Sequence, residues 1–150
     1  MANPEHLYGL KQGIAHWNVW RLEHPEIRPD LSKADLRGFQ LNTINLSKAD
    51  LSRTDLSTVS MRMANLREAN LSLSNLSDSD LSMTDFCAAN LNAADLRDTN
   101  LRSANLKNAN LKVADLSRAD MRNAILVGAI LDGAILVNTK RQRGFWSLFS

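Results

Sequence analysis

The 150-residue chain has one cysteine, Cys87, which excludes an intrachain disulfide and any metal cage made of thiolates alone. Aromatic residues are only 5% of it, so a core must be aliphatic and assembled from small pieces. Charge of one sign is also missing. Lys and Arg number 18 against 16 Asp and Glu, a formal +2, and the total demands no polyelectrolyte partner. No apolar run approaches the roughly 20 residues that span a bilayer, and no basic stretch followed by a long apolar one opens the chain. These absences predict a soluble, cytoplasmic protein of one domain. There is no glycine-rich phosphate loop, and no proline follows Pro29, as a fold that needs every backbone N–H would require.

What is present is a period of five. Every fifth position from Leu31 to Leu136 makes 22 positions, of which 19 are Leu, with Met61, Phe86 and Met121 the exceptions. Two residues earlier stands Ala in 13 of the 22, and immediately before stands Asp or Asn in 17. The unit reads Ala-(Asp/Asn)-Leu-x-x, as in Ala34-Asp35-Leu36-Arg37-Gly38. On an α-helix a step of five turns about 140° net, which spirals the leucines around the cylinder. On a flat strand an odd period puts successive leucines on opposite faces. Both are rejected. The remaining solution bends the chain once per unit, so that Leu and the small residue point to an axis and the other three positions face water. This is a solenoid with four short sides and coils stacked about 4.8 Å apart. Asp and Asn suit the bend, because their side chains bond nearby backbone and tolerate turn geometry. Phe39, Ile44 and Val59 replace Ala, and local widening is expected there.

This tandem run resembles the pentapeptide-repeat proteins, right-handed quadrilateral β-helices abundant in cyanobacteria. The resemblance covers about residues 29–139 and implies four repeats per coil. The 22 units would then make 5.5 coils of an all-β solenoid.

Residues 1–28 fall outside the period. Asn3-Pro4-Glu5 is a helix start, and Leu7, Leu10, Ile14, Trp17 and Trp20 or Arg21 follow at helical spacing until Pro25 and Pro29 stop it. One short amphipathic N-terminal capping α-helix is predicted, its apolar face closing the first coil. A ligand pocket built on Trp17 and Trp20 is the alternative. At the other end Ile125, Ile130 and Ile135 occupy the Asp/Asn position and Val127 and Val137 the solvent position, so the last coil is apolar outside. The tail 140–150 supplies Phe145, Trp146, Leu148 and Phe149 after three cations. It caps its own chain, joins a second subunit in a homodimer through the C-terminal end, or touches an anionic membrane surface.

No catalytic constellation is visible, and neither a cofactor nor a metal site is expected. His6, His16 and His24 lie ten and eight residues apart, unlike the i, i+4 pairing of a helical metal site, and are read as surface or capping residues. Cys87 has no histidine in the repeats to activate it. Residues 20 apart should stack, so Arg62, Arg102 and Arg122 form a ladder interrupted by Ser82. Asp35, Asp55, Asp95 and Asp115 form an adjacent one, joined by Asp78 and Asp98 and partly balanced by Arg37, Arg97 and Arg118.

The predicted function is a non-enzymatic module or regulatory scaffold presenting flat charged faces to an unidentified protein, with Arg62, Arg102 and Arg122 as candidate contacts. The resemblance supports this class, since some members regulate through protein contacts, including in cyanobacterial cell differentiation. It also brings the alternative, since other members look like B-DNA and bind DNA gyrase, protecting it from quinolones. Such mimicry needs a strongly negative rod, and the repeats carry 13 acids against 12 bases. Direct nucleic-acid binding is not expected, because the arginine ladder is short and lacks interleaved aromatics.

Overall fold

The computed structural model describes residues 1–142. Parallel β-bridges join residues 20 apart without a break, from Asp30 with Asp50 to Asp120 with Lys140. Four pentads therefore make one coil, and each side of the solenoid is a stack of equivalent pentads.

The five N–H groups of a pentad are all satisfied, and this accounting explains the consensus. Around Asp55-Leu56, Leu56 N–H donates to Asn75 O at 2.7 Å, Thr58 N–H to Ser77 O at 3.0 Å and Asp55 N–H back to Ala34 O at 3.0 Å. Three donors thus cross between coils. The fourth closes a β-turn, as Val59 N–H donates to Leu56 O at 3.3 Å. The fifth, on Ser57, is accepted by Asp55 Oδ1 at 3.1 Å. Asp or Asn before Leu supplies the acceptor that the ladder does not.

The bend lies elsewhere than expected. The left-handed residue is the second after Leu, with φ between 49° and 72° at all 22 such positions, and only Gly38, Gly128 and Gly133 among them are glycine. The Asp/Asn residue is the bridging one, and it braces the turn from outside. Its short side chain acts as a hydrogen-bond acceptor. Asn also donates. Nδ2 of Asn70 reaches Asp50 Oδ1 at 3.2 Å and Nδ2 of Asn90 reaches Asn70 Oδ1 at 3.1 Å, so amides knit successive coils.

Leucines from Leu31 to Leu116 lie on the axis, with Ala at the second inward position. Each buried leucine contributes about 1.5–3 kcal/mol. Inward Thr and Ser stay satisfied by bonding carbonyls, as Thr84 Oγ1 donates to Met61 O at 2.7 Å. Ile44 and Val59 are fully inside and Phe39 partly so. The carbonyls of Phe39, Ile44 and Val59 keep ladder bonds of 2.9–3.0 Å, so the larger side chains do not open the stacking between coils.

The cap is two helices rather than one. α1 spans Pro4–Lys11 and α2 spans Ile14–Glu23. Asn3 Oδ1 caps α1 by accepting from Glu5 N–H at 2.8 Å. The break is at Gly13, whose φ of 107° and ψ of 163° belong to a conformation that a side chain would not tolerate. The kink lets Leu10 from α1 and Trp17 from α2 both bury against the first coil. Trp17 Nε1 donates to Asn45 O at 2.8 Å, and the buried Arg21 guanidinium donates to the carbonyls of His24, Ile27 and Ser47. Burial lowers the Arg21 pKa, since it strips away water that stabilises the charged form.

Candidate protein-binding side

Arg62, Arg102 and Arg122 stand at the first position after the axial residue on one side, in register with Asn42 and Ser82. They do not form a bare cationic ladder. Asp80 and Asp120 share this side, so the separation expected between an arginine side and an acidic side is corrected to an alternation of both charges. The cause is the turn brace, whose acceptor on this side is Asp80 before Ser82 and Asp120 before Arg122.

The three guanidiniums are held differently. Arg122 is fixed by Asp120, with Nε to Oδ1 at 2.9 Å and Nη2 to Oδ2 at 2.6 Å. That pairing raises the arginine pKa and lowers the carboxyl pKa, hydrogen bonding being the larger cause in each. Arg62 and Arg102 approach Asp80 and Asp120 only at 3.8 Å, beyond hydrogen-bond reach. Between them the short side chain of Ser82 leaves an open notch of about 300 Å³, with Asn100 and Ser103 on its walls. Asp80 also lines it, but its Oδ1 is occupied by Ser82 N–H at 3.1 Å and Asn100 Nδ2 at 3.0 Å.

On the neighbouring side arginine appears where carboxylates stack. Asp35 lies under Asp55 and Asp95 under Asp115. Arg37 binds Asp35 at 2.6 Å and reaches Asp55 at 3.8 Å, and Arg97 likewise binds Asp95 and reaches Asp115 at 4.0 Å. Each arginine offsets a like-charge contact that the ladder imposes. The spacing of 20 that predicts the stacks does not reveal this service; the offset of two between Asp and Arg does.

Ile125, Ile130 and Ile135 are about half exposed on the last coil, as are Val127 and Val137. Phe145, Trp146 and Phe149 lie outside the described residues. Cys87 is a free, partly exposed thiol. Among the described residues no three His, Cys, Asp or Glu side chains are grouped to hold a metal ion, and no helix is long and apolar enough to cross a membrane. The three histidines all line one crevice of about 390 Å³ in the cap. Sequence spacing missed it, because the kink at Gly13 folds α1 beside α2.

The geometry defines a parallel β-solenoid with a helical lid, and the comparisons give its family. The chain belongs to the pentapeptide repeats, matched in eight copies over residues 30–62, 64–92, 80–112 and 99–140. It is similar to the pentapeptide-repeat protein Rfr23 of the cyanobacterium Cyanothece 51142, at 27% identity and a TM-score of 0.74, over 83% of this chain and 97% of that one. It is also similar to alr5209, a pentapeptide-repeat protein of Nostoc PCC 7120, at 32% identity over 83% and 93% of the two chains with a TM-score of 0.32. A trypsin-treated form of QnrB1, a plasmid-mediated fluoroquinolone resistance protein, matches at 21% identity and a TM-score of 0.50, over 73% and 69%. The likeness to Rfr23 within this family implies a right-handed coil. No curated protein matches the chain.

Proposed function

We propose that this chain is a non-enzymatic protein-binding module, a rod of about 5.5 coils and roughly 26 Å, whose arginine side docks an acidic surface of a partner protein. The observation that carries the reading is the pair Arg62 and Arg102, two guanidiniums with no hydrogen-bonded carboxylate, flanking the notch at Ser82. A partner carboxylate entering there gains charge-assisted hydrogen bonds that the chain itself leaves unmade. The rigid ladder keeps both arginine backbones in place, so little order is lost on binding.

The test is capture from native lysate, with the wild type compared against the triple variant Arg62→Glu, Arg102→Glu, Arg122→Glu and a control, Lys48→Glu with Arg53→Glu, on other corners. A protein retained by the wild type and control, released by salt and lost by the triple variant supports the reading. Equal retention by the folded triple variant sinks it.

A DNA-mimic action on gyrase has less support. The 13 acids of the repeats are matched by 12 bases, and arginines lie on the same sides as the carboxylates. Inhibition in a supercoiling assay would reinstate it. For the apolar C-terminal coil we propose cover by a second copy or by the chain's own tail.

A further inference from the structure

The second residue after each axial one stands at a corner of the solenoid, and most of these corner residues are polar or small. Met63 and Met83 are neither. They lie one coil apart on the corner beside the arginine side, 53% and 55% exposed. The ladder fixes their register, with Met63 N–H donating to Ser82 O at 3.1 Å and Met83 N–H to Arg102 O at 2.9 Å. Ser103 takes the same place in the next coil with the same left-handed backbone, so the turn itself does not ask for methionine. Leu73 and Val113 are as exposed on the corner two sides away. The ladder beside them, Asn70, Asn90 and Asn110, is uncharged and defines no occupant.

The methionines continue the notch. Met83 follows Ser82 directly and lines it. Positive charge is in surplus beside them, since Asp80 and Asp120 face Arg62, Arg102 and Arg122. Asp120 is bound through both oxygens by Arg122, so Arg102, 3.8 Å away, is not needed to offset it. Asp80 has its Oδ1 occupied by Ser82 and Asn100 and its Oδ2 at 3.8 Å from Arg62. The Arg62 and Arg102 side chains are open to solvent, 54% and 48% exposed. Arginine and methionine are both enriched where proteins meet, and the flexible thioether shapes itself to varied apolar groups.

We infer that the arginine side receives an extended segment of a partner protein carrying a carboxylate and, two residues from it, a large apolar side chain. This rests on the docking role proposed for that side and adds the register of the ligand. Residues two apart in a strand face the same way roughly 7 Å apart, which sets the carboxylate between Arg62 and Arg102 and the apolar group on Met83 and Met63. The test selects displayed heptapeptides on the full chain at low salt, then measures a recovered peptide by fluorescence anisotropy. Recovered sequences should pair Asp or Glu with Leu, Ile, Met or Phe two positions away. Arg62→Ser with Arg102→Ser should weaken such a peptide about tenfold or more, and Met63→Ser with Met83→Ser about fivefold or more. The control Leu73→Ser should bind as the wild type does. Serine is native at the equivalent positions Ser82 and Ser103, so these variants keep the turn, and circular dichroism verifies it. Acidic peptides with no apolar preference or with one at another offset, or full binding by the methionine variant, overturn the inference and leave the arginine role standing. Full binding by the arginine variant sinks both. Recovery of no sequence family overturns the segment and leaves the arginine side to the lysate capture.

Discussion

Arg118 reaches back one full coil to Asp98, with Nε on Oδ1 at 2.7 Å and Nη2 on Oδ2 at 2.6 Å. The other bidentate pairs among the described residues, such as Arg37 with Asp35, close within two residues and brace a single turn. The Arg118 pair instead ties two coils at a corner, where the backbone on both sides is in the left-handed region. Arginine and carboxylate thus appear at two scales, and both lower the carboxyl pKa chiefly through the hydrogen bond.

That gives a prediction about acid. Asp35 is held at about 2 by Arg37, below the usual carboxylate value near ~3.9. A lowered folded pKa favours the fold at high pH, so the contribution is complete above the unfolded value and is lost as pH falls through the folded one. Carboxyl carbon resonances should therefore show Asp35 titrating near 2, and Arg37→Ala should return it toward ~4. The effect on melting should be small, because both side chains are exposed and screened. A native midpoint near ~4 would show that the pair does not persist in solution.

The axis was the most legible part of this chain. Period, inward Leu and inward Ala follow from packing alone, and the structure repeats them coil after coil. The site of the bend was not legible. It falls on Lys33, Thr58, Leu73 and Val113 as readily as on glycine, since the ladder over-determines a conformation that local preference disfavours. The break between α1 and α2 did carry a signal, Gly13 next to Gln12 at the end of a basic last turn. A single amphipathic pattern spanning both helices hid it. Of the arginine side, position could be read and pairing could not, because Arg62 and Arg102 meet acids 18 residues further on, an offset set by the slant between a turn and the next coil.

The strained turns make a prediction of opposite signs. Val113 is β-branched and has φ of 49°, a region that costs such residues about 1–2 kcal/mol. Val113→Asn should raise stability by up to about 1 kcal/mol, since Asn tolerates this region. Gly133 stacks one coil further, with φ of 70°, and a Cβ there would lie 3.0 Å from Val113 Cγ1. Gly133→Val should lower stability by about 1–2 kcal/mol. Urea denaturation of both variants checks the pair, and shifts in the same direction would refute the strain argument.

Core substitutions should grade by chemistry. Leu91 is wholly buried in mid-solenoid. Leu91→Ala removes packing from adjacent layers and should cost about 2–5 kcal/mol. Leu91→Asp places an unpaired charge on the axis and should abolish folding. Both are read by circular dichroism and thermal melting. A folded Asp variant with an unchanged spectrum would mean that Leu91 does not face the axis.

The C-terminal coil carries the last prediction. Ile125, Ile130 and Ile135 replace the polar acceptor of the turn brace, so the residues two further on lose that acceptor and the side walls become apolar. With Val127 and Val137 also exposed, and Leu131 and Leu136 only partly buried at the open end, this surface calls for cover. A two-fold contact would need just one self-complementary patch. If the isoleucines build it, sedimentation should show a dimer that survives removal of residues 141–150 and dissociates in Ile130→Lys with Ile135→Lys. If the tail builds it, the truncated chain should become a monomer. A chain that covers its own end should be monomeric when complete and aggregate when truncated. A soluble monomer both before and after truncation would show that the surface needs no cover, and would remove the ground for either form of it.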